Sequence, residues 1–194
     1  MKSKFILIAL FFLSLSTVSQ VKKFSVDLNY PLALKSGYGD ESRGIIDGSF
    51  KYRFKELNSM TIGASYTFDL IKRESTFAET ELGMNYNFHH VNLFSEFKLS
   101  SEDKLHPFIG LGYSILFSEN EYIYSNMEEV EIKVKKENNS GINVNFGFSY
   151  DVTKSFYVQS YFHYVRVFTK SFVEDGKKVG VNYNQLKLGL GYRF

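Results

Sequence analysis

The chain has no cysteine and no tryptophan, only two prolines, at positions 31 and 107, and a single apolar run of any length, Phe5 to Leu13. Without cysteine there is no disulfide framework, no thiolate metal site and no acceptor for a lipid anchor. That apolar run is far short of the roughly 20 residues a helix needs to cross a bilayer, so any membrane-embedded part must cross as strands. An excess of one charge is missing too. Of 23 basic residues Lys2 and Lys4 lie within the first 19, and none of the 21 acidic ones does, so the remainder carries 21 of each. A balanced chain lacks the electrostatic footprint of a nucleic-acid binder. What the sequence does hold is aromatic: 20 Phe and 14 Tyr in 194 residues, which together with so few prolines favours sheet over helix.

Residues 1 to 19 read as a secretory signal, with Lys2 and Lys4 ahead of the apolar run and Thr17 and Ser19 as the small residues before a cut after Ser19. Residues 20 to 194 then form one domain.

The carboxyl-terminal stretch organises the rest. Leu186, Leu188, Leu190, Tyr192 and Phe194 alternate with Lys187, Gly189, Gly191 and Arg193, a period of two that defines a strand with one apolar face and one small or cationic face. This stretch resembles the closing strand of a bacterial outer-membrane β-barrel. The segment Pro107-Phe108-Ile109-Gly110-Leu111-Gly112-Tyr113 resembles a strand of the OmpA/OmpX-like membrane-domain superfamily. The resemblance implies that Leu188, Leu190, Tyr192 and Phe194 are read by the barrel-assembly machinery of a Gram-negative cell. It also implies that the chain, ending at Phe194, lacks the wall-binding domain of full-length OmpA.

The remaining strands follow the same pattern. Phe24 to Leu34, Ile45 to Phe54 and Met60 to Leu70 alternate cleanly, as do Phe108 to Phe117 and Ile142 to Tyr150, and Phe156 to Val167 does so less clearly. In the fourth strand Leu82, Met84, Tyr86 and Phe88 form the apolar set, but after His89-His90 it becomes Val91, Leu93 and Phe97. A bulge in one long strand or a turn between two would produce this phase slip. The bulge is preferred, because His-His is poor turn chemistry. The expected fold is therefore all-β, an antiparallel up-and-down transmembrane barrel of eight strands, with ten as the alternative. Connections at Lys55 to Ser59, Ser100 to Pro107 and Asp151 to Ser155 are short, while Ile71 to Phe77 reads as a polar loop and Ser118 to Ser140 as the longest connection. Short periplasmic turns and long external loops are the expected asymmetry, placing both mature termini in the periplasm.

Periodicity alone leaves open whether the apolar face meets lipid or a core. A soluble lipocalin-like carrier would turn it inward around a ligand. The aromatic terminus, the nearly uniform apolar face and the Tyr- and Phe-rich strand ends favour lipid. The inward set is then Asp27, Asp47, Lys51, Arg53, Asp69, Glu81, Glu96, Lys98, Lys187 and Arg193. Such charges must pair inside a barrel, and they are expected to plug it.

No catalytic, cofactor or metal motif is present. His163 and Ser160 share a strand on opposite faces, His89 and His90 diverge as neighbours, and His106 lies in a turn. A hydrogen-bonding interior His163 outweighs a catalytic one. The better candidate is the external hairpin, where Val130, Ile132 and Val134 alternate with charged residues and strand edges could pair with another chain, against the plainer reading of a solvated loop. The expected protein is a monomeric, non-enzymatic outer-membrane barrel that stabilises the envelope and meets a host or surface ligand through its loops. Its other expected partners are outer-membrane lipid and, during biogenesis, the assembly machinery. A lipid-modifying outer-membrane enzyme is the competing class.

Overall fold

A computed structural model describes residues 22–34, 42–77, 80–99, 104–125, 130–170 and 177–194. Eight strands follow one another in chain order: β1 (Phe24–Ala33), β2 (Ser42–Glu56), β3 (Met60–Phe77), β4 (Thr80–Phe97), β5 (Leu105–Ser125), β6 (Val130–Asp151), β7 (Phe156–Lys170) and β8 (Lys178–Arg193). Each pairs antiparallel with its neighbour, and β1 pairs with β8 through Val26 opposite Tyr192 and Leu28 opposite Leu190, closing the barrel.

Alternation decides the two faces. Leu28, Leu93, Leu111 and Leu190 stand outward and exposed, whereas Asp27, Asp47, Asp69 and Lys187 point inward with no exposed surface at all. A soluble barrel would show the reverse. Outward apolar residues on every strand form the belt that a membrane barrel presents to lipid, and the lipocalin-like arrangement is excluded.

Strand β4 corrects the expected phase slip. Its pairing with β3 runs unbroken from Met60 opposite Phe97 to Phe77 opposite Thr80, through Thr67 opposite His90. There is neither bulge nor turn at His89-His90. Instead Leu82, Tyr86 and Phe88 are buried on the inner face, together with His90, Asn92, Phe94 and Glu96, while Val91 and Leu93 stay outside. The apolar set changes sides because the interior itself changes. Toward the end of the barrel remote from the chain termini, Ile71, Tyr86, Phe88, Leu116, Val165, Val167 and Tyr183 pack into one buried core. The register shifts that do occur lie in β2, between Gly44 and Ile46 and between Arg53 and Lys55.

The expected polar loop at 71–77 is also corrected, since it belongs to β3, whereas the expected hairpin within 118–140 is found, β5 running to Ser125 and β6 starting at Val130. Strands of 18 to 22 residues exceed the roughly 9 to 11 that cross a bilayer, so the asymmetry between the two ends is carried by strand extension as well as by loops.

Candidate functional site in the barrel interior

The inward side chains stack in tiers from the end bearing the termini (the terminal end) toward the apolar core. In the first tier Glu96 on β4 accepts from Arg53 Nε on β2 at 2.8 Å and from Arg193 Nη2 on β8 at 2.8 Å. Arg193 also pairs with Asp151 at the end of β6, and His106 Nε2 lies 3.0 Å from the same carboxylate. In the second, Asp27 on β1 meets Lys51 Nζ at 2.9 Å, accepts from Ser49 Oγ at 2.7 Å, and accepts from the buried Tyr157 hydroxyl. Lys51 donates to Gln159 Oε1 at 2.9 Å, and Gln159 donates to Asn29 Oδ1 at 2.6 Å, tying this tier to the next.

In the third tier Lys187 on β8 bridges two carboxylates, pairing with Asp47 and meeting Asp69 Oδ2 at 2.9 Å. Asn29 Nδ2 donates to the other oxygen of Asp47 at 2.6 Å. The fourth tier is uncharged in type and involves four strands: His90 Nδ1 lies 2.7 Å from Ser114 Oγ, Asn143 Nδ2 donates to that oxygen at 2.9 Å, and Asn143 Oδ1 faces His163 Nε2 at 3.3 Å. Beyond it Phe88 stacks on His90 and the apolar core begins. Close packing accompanies the charge pairing. A Cβ on Gly191 would run into the Tyr157 ring and the Asp27 carboxylate, so only glycine lets β8 pass this tier.

The structure thus brings Asp27, Asp47, Lys51, Arg53, Asp69, Glu96, Lys187 and Arg193 into the interior. Lys98 departs from the expected set. It follows the last residue of β4, and its ammonium pairs with Glu56 at the rim instead. The Glu81 side chain lies outside the described residues. Asp151, expected in a turn, is an inner-face residue of β6 whose place could have been found by extending the odd-numbered series Asn143, Asn145, Gly147 and Ser149 by one step.

At the far end (the hairpin end) β5 and β6 continue as a two-stranded ribbon. Pairing of β4 with β5 stops at Met84 opposite Asn120, and pairing of β6 with β7 stops at Ser140 opposite Phe168. Yet β5 and β6 remain paired to Ser125 opposite Val130. Ile132 and Val134 are both 54% exposed, and Lys133 sits over the Tyr124 ring at 3.7 Å. Val130 contributes its backbone to the ribbon; its side chain lies outside the described residues. In the closing strand Leu188, Leu190 and Tyr192 face outward, and Phe194 stacks on Phe24 and Tyr192 beside the seam between β1 and β8.

A closed eight-stranded barrel, apolar outside and charged within, is an integral outer-membrane protein in contact with outer-membrane lipid. The chain belongs to the family described as the outer membrane protein beta-barrel domain, which it matches over residues 5–194. Among solved structures it is similar to Ail, the attachment invasion locus protein of Yersinia pestis, with 16% identity, a TM-score of 0.53, and coverage of 89% of this chain and 97% of that one. It is also similar to the N-terminal β-barrel domain of Pseudomonas aeruginosa OprF, with 13% identity, a TM-score of 0.53, and 89% and 98% coverage. Neisserial surface protein A gives 14% identity, a TM-score of 0.51, and 88% and 96% coverage. No curated protein matches the chain. At these identities the likeness is one of fold.

Proposed function

We propose that this barrel is a monomeric structural and surface-interaction protein of the outer membrane, closed to diffusion and presenting the β5–β6 ribbon to an external protein surface. Secretion would follow cleavage after Ser19, with the remaining 20–194 as the barrel and its termini in the periplasm. The assembly machinery would read β8 through Leu188, Leu190, Tyr192 and Phe194. One observation carries the reading: among the described residues, beyond Asn120 and before Ser140 the ribbon strands pair only with each other. The β5 edge that faces away from β6 therefore keeps backbone donors and acceptors that another chain can extend. Ail is called an attachment invasion locus protein, which agrees with an adhesive role for a barrel of this shape. A closed interior is supported by the charged tiers: the cavity between the first two is about 30 Å3, while larger hollows of about 400 and 580 Å3 lie at the terminal and hairpin ends. The lipid-modifying alternative gains nothing from the interior pair of His90 and Ser114, since neither has any exposed surface to offer a lipid.

Replacing residues 122–133 with Asn-Gly, a pair suited to a tight hairpin, tests the ribbon. Cells carrying this variant should lose adhesion to host-cell monolayers while the protein keeps its heat-dependent gel mobility. Unchanged adhesion would refute the interaction role, and a steady ohmic current in planar bilayers would refute the closed interior.

A further inference from the structure

We propose that Asp69, His90 and His163 form a buried binding site for a first-row divalent transition-metal ion. The three residues stand on β3, β4 and β7, all point inward, and each offers a ligand atom within 4.8 Å of the other two. Their exposures are 0%, 0% and 2%. Asp69 Oδ1, His90 Nε2 and His163 Nδ1 are each buried without a hydrogen-bond partner. Buried polar atoms are ordinarily satisfied; Gln185 also stands within hydrogen-bonding reach of the Asp69 carboxyl, but the two imidazole nitrogens beside it on separate strands still call for a shared partner.

The surrounding bonds prepare the right lone pairs. Asn143 spends its amide hydrogen on Ser114 Oγ, so its carbonyl oxygen accepts from His163 Nε2 and leaves Nδ1 as a free base. Ser114 Oγ accepts from Asn143 and has a second lone pair for His90 Nδ1–H; in the tautomer that uses it, Nε2 is a free base as well. Second partners of this kind fix the tautomer of metal-bound histidines. Charge points the same way. Lys187 is shared by Asp47 and Asp69, so this tier carries one more carboxylate than ammonium, and a cation or a proton must balance it in a dry interior. Two imidazoles and a carboxylate are borderline donors that suit zinc and its neighbours. A four-coordinate ion with bonds of about 2 Å sets its donors roughly 3.4 Å apart. The triad must therefore contract, and the 3.3 Å contact from His163 to Asn143 is long enough to let that ring swing.

The test is metal content of the full-length barrel, both extracted from membranes in detergent and refolded from urea with Zn2+, then dialysed. About one zinc per chain should remain. It should be lost in His163→Ala and in Asp69→Asn, and kept in His89→Ala, a histidine on the outer face. Asn143→Ala should retain the site with affinity lowered about 10- to 100-fold. A wild-type barrel that holds no zinc in either preparation would overturn the proposal. Zinc content unchanged in His163→Ala and Asp69→Asn would overturn it by placing the ion elsewhere. If those variants fail to show the heat-dependent mobility of a folded barrel, Co2+ loaded into the wild type decides. Visible absorption of a low-coordinate nitrogen and oxygen site is expected, and its absence refutes the site.

Discussion

The two halves of the barrel interior are built on opposite principles. Near the termini Arg53, Glu96 and Arg193, then Asp27 and Lys51, then Asp47, Asp69 and Lys187 hold the strands by charge pairing. Toward the ribbon Phe88, Leu116, Val165, Val167 and Tyr183 hold them by apolar packing. The outer surface is apolar beside the first half, where lipid covers it, so polarity there is inverted relative to a soluble protein. In the second half the strands outrun the bilayer and the ordinary rule returns, with apolar residues inside. One barrel therefore contains both arrangements, and β4 passes from one to the other at His90 without any break in its pairing.

Breaking the charged half should cost most. Lys187→Ala strands Asp47 and Asp69 without their shared ammonium and should lower stability by about 3 to 5 kcal/mol, measured as a shift in the urea midpoint of the barrel in lipid vesicles. The triple variant that adds Asp47→Asn and Asp69→Asn should recover most of that loss, because no uncompensated charge remains. Next in size, Leu188→Arg on the lipid-facing side should cost about 2 to 4 kcal/mol if it lies near the bilayer midplane; a neutral result would contradict the assigned face. In the apolar half Val165→Ala removes two buried methyl groups and should cost about 2 kcal/mol, with no dependence on the lipid. The smallest effect belongs to the ribbon: Ile132→Ala should change stability by less than about 0.5 kcal/mol, since the side chain is half exposed and outside both interiors.

How much of this was legible follows from the same division. Stretches whose inward face is polar or small, Ser25 to Asn29 of β1 and Gln185 to Arg193 of β8, could be read with their face, because Asp27 and Lys187 each sit among small or polar inward neighbours and apolar outward ones. β4 could not, because Phe88 and Val91 are equally hydrophobic and periodicity records apolarity without saying which side of the wall it lies on. The same ambiguity hid the extension of β3 through Ile71. Individual charges of the interior were visible, but their partners were not: Glu96 meets Arg53 and Arg193 only because β2, β4 and β8 converge across the lumen. The triad of Asp69, His90 and His163 left no local spacing to detect. Its members lie on three strands, and only barrel closure makes them neighbours.

The seam between β1 and β8 has a further consequence for how the barrel is made. Every other pairing joins strands adjacent in the chain, a hairpin that can form locally with a small loss of loop entropy. The seam alone joins Ser25 to Arg193, and it can form only after β8 exists. Until that moment the growing sheet has two open margins and its carboxylates have no Lys187 and no Arg193. Closure thus completes the wall and neutralises the lumen in one event, which makes the order of assembly a property of topology and gives the last strand control over whether the first seven have a stable home.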